Sequence, residues 1–226
     1  MIDSWDALEQ DIIACRACPR LVTWREEVAS TKRRAYRDCV YWGKPVPGFG
    51  DPAARLLILG LAPGAHGSNR TGRMFTGDSS GKTLYAALHR TGFANQPTWE
   101  SRDDGLKLSD AFITAVGRCA PPQNKPTTEE LANCRPFLAR EQALLHNLQV
   151  VLALGRIALD GYVRLLQEAG HDLPAVIFRH GLVTRLPAPL PAIITSYHPS
   201  RQNTQTGRLT LAMFDQVFLQ ARELLY

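Results

Sequence analysis

The stretch Arg55-Leu-Leu-Ile-Leu-Gly60, continuing into Leu61-Ala-Pro-Gly-Ala-His-Gly-Ser-Asn-Arg-Thr-Gly-Arg-Met-Phe-Thr-Gly-Asp78, decides the fold. Its first half is a short unbroken apolar run, the signature of a strand buried on both faces. Its second half is a loop with Gly60, Gly64, Gly67, Gly72 and Gly77, where backbone N–H groups can approach a flat or anionic ligand. A loop just past the carboxyl end of a central strand is where α/β folds place their sites. Phe75, Asp78, Arg70 and Arg73 give this loop an aromatic, a carboxylate and two cations.

Further apolar runs repeat the pattern outward from this strand. Ala111–Val116, Val150–Leu154 and Ala192–Ser196 read as three more strands. Helical periodicity falls between them: Trp5 to Cys15, Ser80 to Thr91, Thr127 to about Leu148, Ile157 to Ala169, and Leu211 to Leu225. Thr127-Thr-Glu-Glu130 resembles a capping box, and Pro136 is expected to kink or delay the helix that follows. Residues 20–54, with three prolines and two glycines between 45 and 52, read as irregular. Strands alternating with helices imply a three-layer α/β/α sandwich around a mostly parallel four-stranded sheet. No repeat or linker divides the chain, so residues 1–226 are expected to form one domain, acting as a monomer.

The 226 residues, 45% of them apolar, suffice for a full core. The net charge of +5, with a pI near 9.1, is compatible with a polyanionic partner without requiring one. Basic residues gather at Lys32-Arg33-Arg34 with Arg37, at Arg70 and Arg73, and at Arg201 and Arg208. The acidic N-terminus lacks an export signal, and no apolar run reaches the roughly 18 residues of a membrane span. The expected location is therefore cytoplasmic, with no membrane partner.

Cysteine spacing is the second strong signal. Cys15-Arg-Ala-Cys18-Pro19 is a close pair, whereas Cys119 and Cys134 stand singly a hundred residues later. A zinc ribbon would normally offer two close pairs. One pair plus two single thiols suits a larger 4Fe–4S cube better. Zinc and inert buried thiols remain open on spacing alone, and inert burial accounts well for Cys39. Thr76-Gly-Asp-Ser-Ser-Gly-Lys-Thr83 comes within one residue of a phosphate-binding P-loop. It has Thr76 where glycine is needed and lies too far past its strand.

A third signal is Ile193-Ile-Thr-Ser-Tyr-His198-Pro-Ser-Arg-Gln-Asn203, where a strand ends in a histidine and a polar loop. In parallel strands, His198 shares a sheet edge with the Gly60 loop. It is able to offer a positively charged donor to a developing anion.

The Gly60–Asp78 loop, the stretch Arg118-Cys-Ala-Pro-Pro-Gln-Asn-Lys-Pro126, the His198 loop and the four spaced cysteines together resemble the family 5 (type B) uracil-DNA glycosylases. The resemblance runs from about Cys15 to the last helix. It implies a DNA repair glycosylase that flips out uracil and hydrolyses its N-glycosidic bond. It implies that Cys15, Cys18, Cys119 and Cys134 hold a structural 4Fe–4S cluster. Phe75 would stack on the base, while Leu61, Ala62 and Gly64 would present backbone N–H groups to a carbonyl oxygen. Asp78, Asn124 and His198 would be catalytic. Related family 4 enzymes carry an acid where Leu61 stands and an asparagine near Ala115. Apolar residues here imply a pocket open to other deaminated bases, such as hypoxanthine. Arg70, Arg73, Lys82 and Arg208 are candidates to hold phosphates, and Arg201, Gln202 and Asn203 to fill the gap in the duplex. Two rival readings are an iron–sulfur DNA-binding protein without glycosylase activity and a redox protein.

Overall fold

A computed structural model describes residues 3–225; residues 1, 2 and 226 of the expected domain lie outside the described residues. Its strands are β1 (Phe49–Gly50), β2 (Leu56–Gly60), β3 (Ala111–Ala115), β4 (Val150–Leu154), β5 (Val183–Thr184) and β6 (Ala192–Ser196). They form one sheet in the order β1-β3-β2-β4-β6-β5. The four inner strands run parallel, and β1 and β5 close the two edges antiparallel. The sheet therefore has six strands rather than four. Two-residue strands leave no periodicity to read, and pairing with a long neighbour is what defines them.

The helices are α1 (Trp5–Ala14), α2 (Pro19–Thr31), α3 (Ser68–Thr71), α4 (Ser79–Arg90), α5 (Thr128–Leu144), α6 (Arg156–Glu168), α7 (Arg201–Gln205) and α8 (Leu211–Leu224). Alternation along each strand divides the core in two. Leu56, Ile58, Ile113, Leu152 and Ile194 face Leu84 and Leu88 of α4 and Phe214 and Phe218 of α8. Leu57, Leu59, Phe112, Val151 and Ile193 face Leu138 of α5, Leu159 and Tyr162 of α6, and Trp5 of α1. Helices on both faces explain why the inner strands are apolar at nearly every position, and the sandwich has the expected three layers.

Two expectations about helices need correction. Residues 20–54 are not irregular throughout, because α2 occupies the first third of them. Pro19 sits in its first turn, where a missing N–H costs nothing, and Leu21, Val22, Arg25 and Val28 form its buried face. An arginine on that face hid the apolar stripe. Pro136 does not delay α5, which starts at Thr128 and runs through it for 17 residues. Thr127 does cap α5 with a reciprocal box: its hydroxyl accepts from Glu130 N–H, and the Glu130 carboxylate accepts from Thr127 N–H.

Candidate active site

Register brings the carboxyl ends of the inner strands together, with Gly60 beside Ala115 and Leu154 beside Ser196. The chain goes from β2 to β3 on one side, then returns to place β4 on the other. Strand order thus reverses at β2, the point where open α/β sheets bind ligands.

The loop after β2 is shaped around one carboxylate. Asp78 caps α4, its Oδ1 accepting from Ser80 N–H at 3.0 Å and Gly81 N–H at 3.1 Å. Its Oδ2 faces the glycines: a Cβ on Gly67 would lie 2.6 Å from that oxygen, and one on Gly64 3.1 Å. Glycine at 67 is thus a steric requirement of the carboxylate. Asp78 stands at the pocket mouth, and desolvation there raises its pKa above the ordinary value of 3.8 against the lowering effects of the two N–H bonds and Arg70.

Phe75 has a left-handed backbone, φ +54°. Its ring leaves no room for a side chain at Gly60 and stacks on His198, with centroids 5.7 Å apart and planes at 29°. Burial lowers the pKa of His198 to about 4, so its imidazole is neutral near pH 7. The positively charged donor anticipated for His198 is thus replaced by a neutral ring. Gln123 and Asn124 are consecutive left-handed residues, φ +54° and +57°, and this turn presents Asn124 to the same space. One cavity of about 280 Å³ is lined by Leu61, Ala62, Gly64, Phe75, Asp78, Asn124 and His198, so every expected catalytic and base-binding residue meets there. Its volume is at the lower end for small-ligand pockets, suiting one flat ring rather than a stacked pair.

The arginines divide into surface and internal groups. Arg201 and Gln202 are exposed on α7, Lys82 on α4, and Arg208 lies over the Tyr197 ring at 4.5 Å. Asn203 is not free to fill a duplex gap, because its Nδ2 donates to the His198 carbonyl at 2.8 Å and holds that loop. Arg73 is withdrawn from any phosphate: it is 5% exposed and doubly bonded to Asp104 at 2.7 and 2.9 Å. Arg70 buttresses the loop from inside, donating to His66 O and Gly77 O.

Behind this loop the four expected cysteines share one small cavity with Arg25. Cys15 ends α1, Cys18 precedes α2, Cys119 follows β3 and Cys134 lies on α5. Arg25 is buried, and its Nη1 donates to Cys119 Sγ at 2.9 Å while Nη2 donates to Cys15 O at 3.2 Å. Asn69 of the glycine-rich loop donates in turn to the Arg25 carbonyl at 3.2 Å. Burial pushes the Cys119 thiol up to about 12 and raises Cys134 as well. Among the described residues, no three His, Cys, Asp or Glu side chains are placed to hold a single metal ion.

The profile of the uracil DNA glycosylase superfamily matches residues 47–222. The chain belongs to this superfamily. Similarity narrows the placement: a type-5 uracil-DNA glycosylase of Thermus thermophilus is 53% identical over 219 residues, covering 97% of each chain. One from Mycobacterium tuberculosis is 53% identical over 94% of this chain and 79% of its own. One from Pyrobaculum aerophilum is 42% identical over 96% and 92%. The chain is thus a member of the type-5 branch.

In this superfamily member the pocket also takes in residues the sequence did not single out, namely Ser68, Met74, Ser80, Pro121 and Ser200. Ser68 is buried within the loop, and the Ser200 hydroxyl accepts from Asn203 N–H to start α7. Motif spacing gives no sign of them, because small polar residues are ordinary in any loop.

Proposed function

We propose that this chain is a monofunctional uracil-DNA glycosylase, which takes an extruded uracil into the 280 Å³ pocket and hydrolyses its bond to deoxyribose. The observation that carries the reading is the meeting of Asp78, Asn124, His198 and Phe75 in that one pocket at the switch point of the sheet. Phe75 offers a face on which the base stacks. As the C1′–N1 bond breaks, its electron pair leaves with the base. The neutral imidazole of His198 donates an N–H to that developing anion, and an aligned donor of this kind contributes about 3 kcal/mol. Asp78 Oδ2, with no protein hydrogen bond among the described residues, faces the developing positive charge on the sugar. It orients the water whose oxygen bonds to C1′ and accepts the proton that water loses. Asn124 holds that water or the base edge. No lysine nucleophile is needed, so the product is an intact strand with an abasic site.

Leu61 and Ala115 in the pocket lining offer no side-chain hydrogen bond to the base edge, which supports acceptance of hypoxanthine and other deaminated bases. Cys15, Cys18, Cys119 and Cys134 are assigned a 4Fe–4S cluster. Four thiols converging on one cavity support this assignment, and the buried Arg25 cation beside Cys119 suits the negative charge of such a cluster. The cluster's contribution is structural, and the chain acts as a monomer.

Base release from a labelled uracil duplex in enzyme excess tests the function. Strand scission appearing only after alkali is expected, with Asp78→Ala, Asn124→Ala and His198→Ala each slowing it by about 10²-fold or more. Tight DNA binding without scission on uracil or hypoxanthine would instead establish a DNA-binding protein lacking the activity.

A further inference from the structure

The segment between α2 and β1 is bound firmly to the catalytic loop, yet it carries exposed groups that the fold does not use. Trp42 N–H donates to Arg70 O at 2.9 Å, and Gly43 N–H to Asn69 O at 3.0 Å. Tyr41 Oη is 2.9 Å from His66 Nδ1, and the Arg70 guanidinium lies 4.1 Å from the centre of the Tyr36 ring. His66 is two residues from Gly64, which lines the pocket. Turns from Tyr36 N–H to Arg33 O and from Cys39 N–H to Tyr36 O, and a bond from Lys32 Nζ to Arg37 O, keep the segment compact.

On this framework Arg33, Arg34 and Arg37 are exposed, and none makes an ion pair among the described residues. Asp38 is the one acid between Lys32 and Gly43. Between these cations and Tyr41 stands Val40, 92% exposed and the most open large apolar side chain among the described residues. A single exposed apolar residue is ordinary. An apolar tip flanked by unpaired arginines and anchored beside a base-sized pocket has the composition of a DNA wedge between phosphate grips.

We propose that residues 32–40 form a second arm of the DNA interface. Arg33, Arg34 and Arg37 bind phosphates of the strand that flanks the extruded nucleotide, and Val40 enters the groove beside it. The first arm is α7 with Arg201 and Gln202, which adjoins the pocket through the His198 loop. The proposal rests on the glycosylase reading for its ligand.

Binding to a labelled duplex carrying a tetrahydrofuran abasic analogue, followed by fluorescence anisotropy across a salt series, tests it without turnover. The triple variant Arg33→Gln/Arg34→Gln/Arg37→Gln is expected to lower the slope of log K against log salt by roughly 2.7, at about 0.9 per phosphate contact. Arg34→Gln alone should lower the slope by about 0.9, which keeps the test open if the triple variant melts early. Val40→Ser should weaken duplex binding by about fivefold while leaving single-stranded binding unchanged. An unchanged slope overturns the phosphate grip, and unchanged duplex affinity of Val40→Ser overturns the wedge. If the parent protein binds duplex but releases no base, the glycosylase reading fails while the slopes still decide the arm.

Discussion

At the scale of single residues, the pocket's chemistry depends on two groups moved away from their ordinary protonation. His198 is charged only below about pH 4, whereas an unfolded histidine is charged below about 6.5. Between those values the unfolded chain binds a proton that the folded chain refuses. The contribution to stability is therefore complete above about pH 6.5 and is lost as pH falls toward 4. Urea unfolding at pH 7 and pH 5 should show that His198→Gln is less sensitive to acid than the parent, by about 1–2 kcal/mol. The rate of base release should show no inflection near pH 6.5 and should decline only further into acid, where His198 takes a proton near pH 4 and the raised Asp78 carboxylate is neutralised as well. A titration of the rate at the ordinary histidine pKa would contradict the neutral-donor role. His198 was legible as a candidate because it ends a recognisable strand, and Asp78 because it sits in a distinctive glycine-rich loop, whereas Asn124, and the catalytic role of all three, came from the family resemblance. Arg73 was misjudged because sequence shows a cation but not the partner, here Asp104, that takes it out of solvent.

At the scale of elements, β3 and α5 are joined by a buried pair. Arg118, just past β3, donates to Glu141 of α5 at 2.5 Å and also to the Thr114 hydroxyl, with both charged side chains 1% exposed. Removing one partner leaves a charge in the interior, and Glu141→Ala should cost about 3–5 kcal/mol. A double change to apolar residues of similar volume should cost much less, and equilibrium urea unfolding of the two proteins distinguishes these outcomes. The long inner strands and most helices could be read from period and caps, as with Thr127 before α5. Helix α2 could not, since its buried face includes Arg25, a residue counted as surface until its cysteine partner is known. Strands β1 and β5 were invisible for a different reason: they exist only through pairing with β3 and β6.

At the scale of the molecule, the cysteine cavity draws together α1, α2, the turn after β3 and α5. If it holds the proposed cluster, the purified protein should carry iron and absorb near ~400 nm. Cys119→Ala should lose both and melt at lower temperature, because α1 and α2 would lose a tie to the rest of the fold. A protein without iron that melts unchanged after this substitution would leave the four thiols as ordinary buried cysteines. The three layers and the sheet edge that carries the site were readable from the alternation of strands and helices. The packing of α1 on α5 was not, because it joins segments more than a hundred residues apart whose contact no local period reveals, although the cysteine spacing hinted at it.

The cysteine cavity also sets an order on biosynthesis. Cys15 and Cys18 leave the ribosome first, and the cavity they share with Cys119 and Cys134 cannot form until residue 134 has followed. At about 5–20 residues per second the delay is roughly 6–23 s. Throughout it, the nascent chain displays an unaccompanied pair of thiols, vulnerable to oxidants and to stray metal. If the cavity holds the proposed cluster, its delivery is timed by translation of the segment between Cys18 and Cys134, and slow codons there would lengthen the interval of exposure.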